Sequence, residues 1–338
     1  MGELAGLSRK EIAQQADPLN PMRELVSSLV RRSLPGLVEA TPIDDGVRGW
    51  IERGSFYVDS SSLPDHLQLQ NVSLADFLPY QTFDYERFAL SSWETISDYK
   101  ANANRPKALS WPLLKIYYSG FFGGHALMRA LGQAIVRVEP RQAKRLTEIG
   151  QLFCGDSFSV SPGNYELRTE QAADRSFVVT LKKAAEGGGA HEVFWKRFNA
   201  FLGELATDVA ADKEPNANLV IAKIEELQSL LSSKGLNNGS WLSSMRNEIN
   251  YQHQYGVWFP FDVNERDADH VAQIKFRDSS AIRLDYNARK QPIQAFCSGS
   301  AFLSALSFEV SEQLAVRSNN NRAAFIRKWQ RLGAELTA

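Results

Sequence analysis

Residues 111–138, WPLLKIYYSGFFGGHALMRALGQAIVRV, constrain the fold more than any other part of this chain. Their apolar side chains fall on most faces of a 3.6-residue period, so such a helix is stable only in the middle of a core. Ser110 reads as its N-cap, Pro112 lies in its first turn, and Pro140 is expected to stop it. On helical spacing Trp111, Tyr117, Phe121 and Phe122 read as core residues, and His125 reads as a buried histidine with a satisfied partner. A chain of 338 residues, 43% hydrophobic and 23% charged, can wrap this element in two or three packed units and is neither disordered nor fibrous.

Around that element the chain changes period. Residues 1–90 are punctuated by prolines, with one expected helix at 22–32 and otherwise irregular segments or short strands. The pattern turns helical from Trp93. Beyond Cys154 it alternates: Phe158 and Val160, Tyr165 and Leu167, then 177–181, which together predict a small antiparallel meander at about 157–181. Gly187 to Gly189 read as a hinge. Helices are expected again at about 191–210, 218–232 and after Gly239, with a second hairpin over Ile274/Phe276 and Ile282/Leu284/Tyr286 and closing helices at 296–316 and 322–336. The last of these carries Phe325 and Trp329 beside Arg327 and Lys328, and reads as a packed terminal helix or an oligomer contact. The class is mainly α with small antiparallel β insertions, α+β overall. The expected organisation is an N-terminal region 1–90, a helical domain 91–260 holding the meander, and a C-terminal region 261–338.

Several chemistries are excluded by inspection. There is no GxxxxGK[ST], no GxGxxG after a strand, no HExxH and no CxxC, and no two of the five histidines lie at i,i+4. No metal or cofactor is therefore expected. Two cysteines do not make a disulfide framework and fit a reducing cytoplasm. No secretory signal is expected from MGELAGLSRKE, and the apolar stretch 116–124 is too short for a bilayer, so no membrane role is expected. The net charge of −1 excludes a uniformly basic nucleic-acid binder, but the charge is uneven. Residues 1–99 carry 8 basic and 15 acidic side chains, whereas 100–150 carry 9 basic and 2 acidic, among them Lys100, Arg105, Lys107, Arg141, Lys144 and Arg145. Two readings are open: the block pairs with the acidic N-terminal region, or it holds a phosphate backbone near a site.

One segment carries chemistry: Ser240 to Gly256, SWLSSMRNEINYQHQYG. With Ser240 as N-cap and Gly256 as left-handed stop, it predicts a helix of about 15 residues. At about 100° per residue, Arg246, Asn250 and His253 then share one face over two turns. A guanidinium fork grips phosphate and a nearby imidazole moves protons. The same spacing also fits an ordinary solvent-facing polar stripe.

Arg246-Asn247, five residues, His253, one residue, Tyr255 resembles the signature of the HEPN superfamily. The upstream run Tyr117-Tyr118-Ser-Gly-Phe121-Phe122-Gly-Gly-His125 resembles that family's core helix, in the required order. The resemblance covers about residues 95–260. It implies a HEPN-like helical bundle that dimerises to bring two Arg/His motifs across a cleft, and a metal-independent endoribonuclease leaving 2′,3′-cyclic phosphate and 5′-OH ends, of the toxin or antiviral-defence type. In that chemistry Arg246 stabilises the phosphorane, His253 is the acid or base, and Asn247 orients the phosphate or the histidine. Asn250, Arg141, Lys144 and Arg145 are candidate RNA contacts. Tyr255 resembles the tyrosine adenylylated by partner enzymes in toxin–antitoxin pairs, and equally fits a packing tyrosine. The expected partners are RNA, a second copy of the chain, and an antitoxin or defence partner. A non-catalytic HEPN-like scaffold for a partner protein or nucleic acid is the alternative.

Overall fold

The computed structural model describes residues 20–41, 43–101, 108–171, 177–184, 188–319 and 324–335. Residues 1–19, Arg105, Lys107, Gly187 and Leu336 lie outside the described residues. The described chain is mostly helical with one five-stranded antiparallel sheet, an α+β arrangement.

The helices are α1 (Pro21–Arg31), α2 (Val47–Arg53), α3 (Leu74–Ala101), α4 (Ser110–Ala130), α5 (Pro140–Cys154), α6 (Ala190–Ala211), α7 (Ala217–Leu231), α8 (Trp241–Gln252), α9 (Glu265–Gln273), α10 (Pro292–Arg317) and α11 (Ala324–Glu335). The strands are β1 (Tyr57–Val58), β2 (His66–Val72), β3 (Gln133–Val138), β4 (Gly163–Gln171) and β5 (Phe177–Lys183), ordered β1-β2-β5-β4-β3.

Two cores result. The smaller packs one face of the sheet, with Leu67, Leu69, Val136, Leu167 and Leu181, against Trp50 and Ile51 of α2 and Leu146 and Ile149 of α5. The larger is mainly helical and centres on α4, which lies between α3 and α10. Close approach there needs small residues. A Cβ on Gly123 would stand 2.8 Å from the Leu303 carbonyl oxygen, and Ser92, Ser119 and Ser304 join α3, α4 and α10 by hydroxyl hydrogen bonds. His125 is buried as expected: it stacks between Phe88 and Phe194 and meets Arg129 Nη1 through Nδ1 at 3.1 Å. The terminal helix α11 packs as expected, with Phe325 against Tyr85 and Trp329 against Phe308.

The structure corrects several expectations. The central helix stops at Ala130, because Gly132 takes φ +74° and turns the chain into β3. The meander's third strand is β3, while Phe158 and Val160 are buried in a loop. Residues 57–72 supply the other two strands, and α3 begins at Leu74, so the boundary drawn after residue 90 falls inside a helix. The hairpin expected at 274–286 is absent; Ile274, Phe276, Ile282 and Leu284 reach the helical core from extended chain around a 3-10 turn (Ser279–Ala281). Trp111 is 63% exposed and not core, and Phe121 and Phe122 are only half-buried. The longest apolar element is α10, not 116–124; it is long and apolar enough to cross a membrane, and it lies mostly buried inside the fold.

Candidate functional site

The open face of α4 locates the site. Trp111, Lys115, Tyr118 and Phe122, spaced i, i+4, i+7 and i+11, form one incompletely buried stripe on a helix otherwise almost wholly buried. Helix α8 packs beside it, and Arg246 reaches across. Arg246 Nη2 donates to Tyr118 Oη at 2.8 Å, and Nη1 donates to Asn247 Oδ1 at 3.0 Å and Tyr251 Oη at 3.3 Å. The guanidinium also lies over the Tyr251 ring, 5.1 Å from its centroid. Every one of these partners is neutral. Among the described residues no carboxylate pairs with Arg246, and its Nε is buried without a hydrogen-bond partner. Burial disfavours the charge, but the hydrogen bonds to Tyr118 and Tyr251 more than offset it, so the guanidinium stays protonated. A half-buried guanidinium held by two phenols and an amide keeps its full charge and is chemically able to bind a phosphate or carboxylate.

His191 completes the group. It is the second residue of α6, and its Nδ1 lies 3.0 Å from Tyr117 Oη, which accepts a hydrogen bond from Trp195 Nε1, also at 3.0 Å. Its ring stands edge-on to Tyr118 and leans on Phe121. Burial first, and the Arg246 charge second, push its pKa down to about 4. The N-terminal position on α6 acts in the same direction.

His253 does not occupy the position expected for it. Helix α8 ends at Gln252, and His253 caps it in the left-handed region at φ 52°, so it leaves the face shared by Arg246 and Asn250. The chain then folds back over the helix end. Trp258 Nε1 caps the Ile249 carbonyl at 2.7 Å, and the Val257 carbonyl accepts from the N–H groups of Leu109 and Ser110 at the start of α4. His253 is exposed and meets the edge of Trp258, which in turn meets Trp111. Asn247 is exposed and Asn250 half-buried. Tyr255 is half-buried, also in the left-handed region at φ 66°. Its hydroxyl donates to Glu248 and accepts from Lys234 Nζ, so it is a packed tyrosine whose phenol is pushed up by burial and by Glu248.

Arg141, Lys144 and Arg145 lie on the outer side of α5, the helix whose other face packs on the sheet, and not in the Arg246 group. Arg141 pairs with Glu52, and Lys144 and Arg145 pair with Glu148. Arg141 to Glu52 is the pairing with the acidic N-terminal region that the charge map allowed.

Tyr118, Tyr251 and His191 were not assigned roles from the sequence. The stripe at 111, 115, 118 and 122 was the available signal for Tyr118; nothing local marks His191. Comparison with family models, curated proteins and solved structures found no match to this chain.

Proposed function

We propose that this protein is a metal-independent endoribonuclease acting on unpaired RNA, with the phosphate held at Arg246. The observation that carries the reading is the guanidinium of Arg246, fixed by Tyr118, Tyr251 and Asn247 and, among the described residues, without a carboxylate partner. Tyr251, 67% exposed, lies against the guanidinium, and Trp111, 63% exposed, lies about two turns along α4 from Tyr118; such rings suit bases splayed out of a helix. The resemblance to HEPN proteins supplies the reaction: attack of a ribose 2′-OH on the adjacent phosphorus, with Arg246 stabilising the phosphorane charge, a contribution worth ~3–4 kcal/mol per donor. It also supplies the toxin or defence role and the expected second copy across the cleft. The test is incubation of purified protein with tRNA and single-stranded RNA in EDTA. Cyclic-phosphate ends that disappear with Arg246→Ala are expected.

The scaffold reading keeps one specific support, the departure of His253 from the helical face that the resemblance requires. It expects RNA or protein binding with no strand cleavage in the same assay.

A further inference from the structure

We propose that His191, and not His253, is the histidine that handles protons beside Arg246. This assignment rests on the ribonuclease reading above and adds a residue to it.

The two histidines differ in how they are held. A general acid or base needs an orienting group behind it, so that one ring nitrogen is occupied and the other is aimed. His191 has that group: Tyr117 occupies Nδ1 at 3.0 Å and is itself fixed by Trp195, one turn along the helix that carries His191. With Nδ1–H donating to Tyr117 Oη, Nε2 is the unprotonated nitrogen left for substrate. Tyr118 links the two halves, with its hydroxyl on Arg246 Nη2 and its ring against the His191 ring. The imidazole and the guanidinium therefore converge from α6 and α8 onto one side chain of α4. His253, by contrast, is exposed on a left-handed cap, with Trp258 as its ring contact. Trp258 in turn meets Trp111, and among the described residues none of these three rings contacts Arg246 or His191.

Proton balance needs one imidazole. Neutral His191 takes the proton of the 2′-OH as O2′ bonds to phosphorus, and the imidazolium returns it to O5′ as the P–O5′ bond breaks. The products are a 2′,3′-cyclic phosphate and a 5′-OH, with no water consumed. An imidazole held neutral by burial and by Arg246 is a weak base in the empty site. A phosphodiester on Arg246 offsets the repelling charge, which raises the basicity of His191 only when substrate is present.

The experiment follows cleavage of an end-labelled single-stranded oligoribonucleotide in EDTA, with binding of its 2′-deoxy analogue and a thermal melt for every variant. His191→Ala and His191→Gln are expected to lower cleavage 100-fold or more while binding and melting hold, and added imidazole is expected to restore part of the activity of the alanine variant. His253→Ala is expected to cleave within a few-fold of wild type. Wild-type protein that cleaves and loses activity with Arg246→Ala, but keeps it with both His191 variants, overturns this assignment alone. Wild-type protein that cleaves no RNA overturns the ribonuclease reading and this assignment with it.

Discussion

A Cβ built on Gly120 would stand 2.7 Å from the Cα of Ser300, so α4 and α10 touch backbone to backbone. Nothing flexible is there to move. Gly120→Ala should cost roughly 1–3 kcal/mol or more by overpacking. Gly203→Ala on α6, where the nearest atom is the end of Gln228 at 3.4 Å, should instead stabilise by about 0.5–1 kcal/mol. Urea melts of the two variants are expected to move in opposite directions.

Acid should unfold this protein earlier than its net charge suggests. Burial, followed by the charges of Arg129, His191 and Arg87, holds His125 neutral well below the ordinary histidine range. The unfolded chain takes up that proton near pH 6.5 and the folded chain does not. Stability is therefore complete above pH 6.5 and falls as the pH drops below it, by about 1.4 kcal/mol per unit for one such histidine. Urea midpoints between pH 7.5 and 5 should show this slope for His125 and again for His191, and His125→Phe should remove the first share and leave the second.

Charge reversal of Arg141, Lys144 and Arg145 to Glu should act on the fold rather than on RNA. Their partners are Glu52 and Glu148. Exposed pairs contribute about 0–1 kcal/mol each, so a modest fall in melting temperature is expected. The slope of log K against log salt should stay unchanged; a shallower slope would place RNA on α5.

Trp111→Ala and Tyr251→Ala should each weaken oligoribonucleotide binding by about 1–3 kcal/mol if a base stacks there, without changing the salt slope. Titrations at two salt concentrations measure both quantities. Arg246→Lys should behave differently: it keeps the charge and loses the fork that meets Tyr118 and Tyr251, so the rate at saturating RNA should fall by about 10²–10³.

Tyr255→Phe removes the hydroxyl between Glu248 and Lys234. A loss of about 1 kcal/mol in stability with cleavage intact is expected.

Sequence patterning read α1, α7 and α10 nearly to their ends, because Asn20 caps α1 and the apolar period of the other two is uninterrupted. It overran α4, although the burial of 133–138 alternates with a period of two. The helical run before those residues masked the change. Helix α8 was placed correctly at its start and given three residues too many at its end. Gly256 is the residue expected to adopt a left-handed conformation, and the chain adopts it first at His253, held there by tertiary contacts of Trp258 and Val257. Arg246 was legible from its motif. Asn247 was legible with it, but the distant members of the group were not: Tyr118 is 128 residues away, and His191 is oriented by Tyr117, 74 residues away.

Helix α3 puts Phe77 and Tyr80 into the sheet core and Tyr85, Ala89, Trp93 and Ile96 into the helical core. It is a beam common to both halves. A fragment cut at residue 91 would lose the part of that beam under the sheet and also β2, whose removal would bare the edge of β5 to other chains. The folding unit of this protein is therefore larger than the motif-bearing segment, and truncation toward the motif would yield aggregation where a minimal domain was sought.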